Sequence, residues 1–339
     1  MTIATTFRLG LLAAATTLGC TAASAETISL RVSTGFPAVH DTTTQIVMPW
    51  IEELSARSGV DIETTLFAAG SSLGALDRQL DQLQRGLVDV AVGLAVVPRG
   101  RMPRLGLIDL PFLGADSREI NMATSGMLGT EFAPDLEGME VVNVFIDCSV
   151  LHTVDRPIHG IADIRGLRLR VPSAMGAAMV AAVGGIPVAM PQSEIYESLQ
   201  RNVIDGAITP WDVINSLNLG EVLHHHTDNV LFCGQLWFGF NERTYQNFPE
   251  ALRAAFDELR GDYAVNLAQG VYEASRVAAH ETIAANGDEI THISDEDMAE
   301  WATLVQPDIE TFLNDTEASV SDIRAIYDTL RARIAAQAR

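Results

Sequence analysis

The sequence predicts an α/β protein of two similar lobes, with parallel or mixed sheets, strands passing between the lobes and long helices at the C-terminus. Three observations predict it. Strand-like and helix-like runs alternate, which implies parallel strands joined by crossover helices. The alternating block occurs twice. Two long β-type runs, 139–147 and 230–240, flank its second copy.

The first copy opens with a strand over 28–33, followed by Gly35 and Pro37. Apolar residues at helical spacing predict a helix over 42–57. A strand over 61–67, a helix over 76–85 and a strand over 88–94 complete the copy. The second copy has strands over 167–171, 187–190 and 207–209, with helices over 174–183 and 193–201 between them. Single residues correspond. Leu83-Gln84-Arg85-Gly86-Leu87-Val88-Asp89-Val90 stands beside Leu199-Gln200-Arg201-Asn202-Val203-Ile204-Asp205-Gly206. Shared turn chemistry, with Asp at a tight connection, accounts for such a match as well as duplication does. The tail reads as one long helix over 249–286 and two more over 295–313 and 319–336. Lobe one is expected over 26–147 plus about 236–275, and lobe two over 148–235 plus about 276–339.

Residues 1–25 hold one charge, Arg8, an apolar run from Leu9 to Leu18, and Ala23-Ser24-Ala25. This is the pattern of an export signal cut after Ala25, placing the mature protein in the periplasm. A lipid anchor at Cys20 fits less well, because Leu18 is bulky where a small residue is expected. No later stretch is long and apolar enough to insert in a membrane. Export implies an oxidising compartment. Cys148 and Cys233 are then either one bridge or two small buried hydrophobes, and spacing does not choose between them.

None of the 22 basic residues is lysine, and 44 acidic residues bring the formal charge to −22. Without lysine there is no Schiff base and no Walker loop. Such an acidic surface repels nucleic acid, so none is expected as a partner. A local arginine can still hold a small anion at short range. No nucleophile elbow or catalytic constellation occurs, and neither enzyme activity nor a cofactor is expected. His224-His225-His226 cannot all face one ion from a regular element, and no metal is expected.

Ligands in such sheets sit beyond the carboxyl ends of strands. Arg168 and Arg170 share one strand face, and Arg170 is nearer the carboxyl end, beside a helix beginning at Ser173. It can offer a fork to a carboxylate, or it can be a structural ion pair. Trp211 follows the strand end at Thr209, where it would enclose a ligand or close the core edge. Gly35, Phe36 and Leu94 make an apolar wall at the strand ends of lobe one. Gln192, Val150, Trp237 and Phe238 complete the candidate set.

Several stretches together resemble the extracytoplasmic solute-binding proteins of TRAP transporters, the DctP family. They are Leu73-Gly74 with Arg78, Arg85-Gly86 through Val92, Ile108-Asp109-Leu110-Pro111-Phe112-Leu113, Ile164 through Val171, Ser193-Glu194-Ile195-Tyr196 and Val203-Ile204-Asp205-Gly206. The resemblance implies a periplasmic-binding-protein clamshell that closes on an organic acid and delivers it to a membrane permease pair, without an ATPase. It implies that Arg170 binds the ligand carboxylate. Two departures bear on the ligand. Thr209 stands where the family often has Asn, and Val150 stands near where many members have a second arginine. One arginine with Trp211 and Phe36 favours a monocarboxylate with an apolar or aromatic body. The alternatives are the binding protein of an ATP-driven importer, a ligand-presenting module of a sensor, or an exported α/β enzyme.

Overall fold

The computed structural model describes residues 27–114 and 116–337. The export signal, Ala25 and Cys20 lie outside the described residues. The first unit contains β1 (Ile28–Thr34), α1 (Met48–Ser58), β2 (Ile62–Phe67), α2 (Gln79–Gln84) and β3 (Val90–Leu94). A π-helical segment, Thr42–Val47, leads into α1. A helix the sequence left unread, α3 (Ser117–Ser125), follows. Asp116 caps it by accepting from the Arg118 and Glu119 amides.

β4 (Met139–Thr153) runs six residues past the expected end, because Cys148 to Thr153 continue the apolar alternation into the second unit. That unit contains β5 (Arg168–Val171), α4 (Ala174–Ala182), β6 (Ile186–Ala189), α5 (Ile195–Gln200), β7 (Gly206–Pro210) and α6 (Asp212–Ser216). The short β8 (His225–Thr227) precedes β9 (Phe232–Asn241). Then come α7 (Glu242–Gln246), α8 (Glu250–Leu259), α9 (Asp262–Asn286), β10 (Glu289–Thr291), α10 (Asp295–Glu317) and α11 (Ile323–Gln337). The long helix expected over 249–286 is two helices. Gly261 has φ +68° and ψ −123°, a region open essentially to glycine, and its amide bonds the Val142 carbonyl in β4.

The strands form one mixed sheet in the order β2-β1-β3-β9-β4-β7-β5-β6. β2-β1-β3 and β7-β5-β6 are parallel sets. Between them lie β9 and β4, antiparallel to each other and to their flanking strands. The repeat is therefore structural. Arg31 in β1 grips Asp89 through Nε at 2.8 Å and bonds the Gly86 carbonyl. Arg168 in β5 grips Asp205 through Nε at 3.0 Å and bonds the Asn202 carbonyl. Gly86 and Asn202 both adopt positive φ, at +71° and +53°.

One core lies in each unit, and the largest draws on both. Trp50 is buried among Phe238, Phe240 and Phe256, and its Nε1 donates to the Leu259 carbonyl. In the largest core Trp301 of α10 lies under α4 and donates to the Met179 carbonyl, while α11 packs on α3. Truncating either tryptophan to Ala should cost about 3–5 kcal/mol. Cys148 and Cys233 face each other across β4 and β9 and are bridged.

Candidate functional site

A cavity of about 400 Å³ opens where the strand ends of both units meet. That volume lies in the usual range for small-ligand pockets. Its wall is mostly apolar: Phe36, Pro37, Leu76, Leu94, Val97, Met190, Phe232 and Leu236. The strands set this wall by their two-residue alternation. Phe232, Gly234 and Leu236 face it from β9, and Asp147 and Ser149 from β4.

Arg170 projects into this cavity from the carboxyl end of β5. Its residue surface is only 3% exposed. Nε donates to the Met190 carbonyl at 3.1 Å, and Nη1 to the Ile208 carbonyl at 3.2 Å. Burial pushes its pKa down to about 10, and no carboxylate among the described residues offsets that burial. Arg168, two residues earlier, is the structural one, held by both oxygens of Asp205. A buried guanidinium without a counter-ion is costly, so the site is electrostatically complete only with an anion against it.

A second polar group lines the same cavity, and sequence reasoning missed it. It consists of Asp147, Asp212, His40, Thr42 and Tyr272. Burial, and then the charge of Asp212, hold the Asp147 carboxyl well above the usual range. Asp147 keeps some exposed surface, but its Oδ2 is shut from solvent. Burial also raises Asp212, partly opposed by His40, whose Nε2 lies 3.7 Å from Asp212 Oδ2. The charge of Asp212 disfavours ionising Asp147 beside it, so the neutral form of Asp147 is favoured. Burial and these two acids push the Tyr272 phenol far up, keeping it a neutral hydroxyl. Asp147 offered one sequence signal: it is an acid inside the apolar run Val141 to Leu151.

Of the residues expected at the site, Arg170, Gly35, Phe36, Leu94 and Gln192 line this cavity. The structure does not bring Thr209, Trp211, Val150, Trp237 or Phe238 to it, and strand alternation is the reason for Thr209, Val150 and Trp237. Ser149 and Pro210 are cross-strand partners facing the cavity, and the next pair, Val150 and Thr209, faces away. Trp211 lies between the cavity-lining Pro210 and Asp212 and points to the other side. There its indole packs against His152, His226 and His280, with centroids 4.8, 5.7 and 4.5 Å away. Trp211 and Val150 line a second, more polar cavity of about 890 Å³, which shares Asp147 and Tyr272 with the first. Trp237 alternates with Leu236 and is fully buried, and Phe238 lies deeper in the core around Trp50. The three adjacent histidines take different partners: His224 meets Asp288, His225 meets Glu289, and His226 Nδ1 lies 2.7 Å from His152 Nδ1.

The profile of a family described as "Bacterial extracellular solute-binding protein, family 7" (DctP) matches residues 35–315. The C4-dicarboxylate-binding periplasmic protein DctP of Rhodobacter capsulatus is 26% identical over 268 residues, 76% of this chain and 78% of its own. A TRAP solute-binding protein from a marine metagenome, described as specific for aromatic acid ligands, was solved with 3-hydroxybenzoate. It is 25% identical, covers 93% of this chain and 100% of its own, and superimposes with a TM-score of 0.83. A TRAP solute-binding protein of Rhodoferax ferrireducens T118, solved with copurified benzoate, is also 25% identical. It covers 92% of this chain and 98% of its own, with a TM-score of 0.82. Among the described residues no helix is long and apolar enough to cross a membrane. With a two-domain mixed α/β fold and a family match over most of its length, the chain belongs to the DctP family of TRAP-transporter solute-binding proteins.

Proposed function

We propose that the protein captures an organic monocarboxylate with an apolar or aromatic body, holding its carboxylate on Arg170. The observation that carries this reading is the buried guanidinium without an acidic partner in a mostly apolar cavity. Gly35, Phe36, Leu94 and Gln192 are the contacts proposed for the rest of the ligand. The aromatic acids bound by the marine and Rhodoferax relatives support the same class. The reading extends to export: cleavage after Ala25, residence in the periplasm, and delivery of the acid to a TRAP membrane permease. Lobe one covers the ligand by bending at β4 and β9, and excluding water strengthens the ion pair. No reaction is proposed at this site.

Calorimetry of Arg170→Ala with benzoate tests it. A buried charge pair lost on one side costs about 2–5 kcal/mol, so affinity should fall at least about 30-fold. The melting temperature of the ligand-free variant should stay level or rise, since an unpaired buried charge is removed. Retained affinity would sink the assignment.

A further inference from the structure

Resting on the carboxylate reading of Arg170, we infer that the cavity's other polar group, Asp147, Asp212 and His40, is a subsite for a hydroxyl carried by the ligand.

The argument is one of donors and acceptors. The Thr42 amide donates to His40 Nδ1 at 3.2 Å, which leaves the imidazole proton on Nε2. His40 lines the cavity at 2% exposure, and its Nε2 is shut from solvent with no hydrogen-bond partner. Asp212 Oδ2 lies 3.7 Å away, too far to accept its proton. Side by side the cavity therefore presents an unused donor and an acid pair rich in acceptor sites. A hydroxyl accepts from the first and donates to the second. An ammonium group only donates and leaves His40 unused. A second carboxylate only accepts, and it meets the charge of the acid pair at close range. Asp147 and Asp212 come from β4 and the start of α6, and His40 from the segment after β1, so the subsite spans both units. The subsite thus selects hydroxy-monocarboxylates and rejects dicarboxylates.

The test is calorimetry of the exported, mature protein with benzoate, 3- and 4-hydroxybenzoate, isophthalate and terephthalate. The better hydroxybenzoate should bind at least about tenfold tighter than benzoate, one good buried hydrogen bond. Both dicarboxylates should bind at least about tenfold weaker than benzoate. Asp212→Ala should bring the hydroxybenzoate within about threefold of benzoate, a collapse of the ratio between the two acids whatever the change in benzoate affinity itself. If that variant does not fold, the wild-type ranking alone decides. Benzoate binding as tightly as both hydroxybenzoates, or a dicarboxylate matching benzoate, overturns the subsite while leaving the Arg170 reading intact. If no acid binds, or if binding survives Arg170→Ala, the Arg170 reading falls and the subsite with it.

Discussion

Arg168 and Arg170 stand on one face of β5, yet their surroundings differ in kind. Arg168 meets Asp205 and reaches the surface, whereas Arg170 is buried and meets only carbonyls. Asp109 is the acidic counterpart of that situation. It ends a 3-10 turn, Leu105–Asp109, and accepts a hydrogen bond from Ser173, the cap of α4. Burial, only partly opposed by that bond, pushes its pKa up to about 7. The fold thus binds a proton that the unfolded chain releases near pH 4. Its contribution is complete below about pH 4 and is lost as pH rises toward about 7, at up to about 1.4 kcal/mol per unit. Asp109→Asn removes this slope, so its melting temperature should fall less between pH 5 and pH 8 than that of the parent. Equal losses in the two proteins would mean that Asp109 is ionised in the fold. The place of Arg170 at a strand end beside a helix start was legible in the sequence, whereas its choice over a structural ion pair rested on the family resemblance. Asp147, Asp212 and His40 were not legible, because their meaning arises only where separate segments meet.

Element periodicity carried most of the fold. The strand and helix pattern was readable where apolar residues recur at strand or helix spacing, whereas α3 was left unread. The break at Gly261 was missed because apolar spacing runs through it, and only the backbone conformation reveals it. Misplacing Trp211, Val150 and Thr209 had a related cause: being near a strand end does not settle which face a residue takes. The cysteine question belongs to this scale too. Cys148 and Cys233 are opposite each other on the two strands that join the units, 85 residues apart in sequence. Closing so long a loop stabilises by about 4.5 kcal/mol in the chain-entropy account. For a chain of this size that corresponds to about 5–10 °C in melting temperature. The double variant Cys148→Ser, Cys233→Ser should lose that much in a thermal scan. Its affinity for benzoate should hold, since the ladder from Glu140 to Ser149 still pairs β4 with β9. An unchanged melting temperature would show that the bridge contributes nothing.

At the scale of the whole molecule, a chain of formal charge −22 is proposed to take an anion as its ligand. The mean field around it repels what Arg170 attracts, and the two act over different distances. The repulsion is spread over the surface and reaches through solvent, where salt screens it with a Debye length of about 10 Å at 0.1 M. The attraction operates at contact, on an arginine only 3% exposed, where salt has little access. Asp41, whose charge acts on Asp212, adds to the negative charge around the cavity. Association and dissociation should therefore respond unequally to ionic strength. Raising salt from about 10 to about 500 mM should speed association with benzoate, the reverse of ordinary electrostatic steering. The dissociation rate should change little, because the ion pair breaks in a buried site. Stopped-flow mixing with protein fluorescence, fitted across benzoate concentrations, separates the two rates. An association rate that falls with salt would mean that a local positive potential at the cleft mouth outweighs the acidic surface. That result would move the source of selectivity from the buried arginine to the entrance.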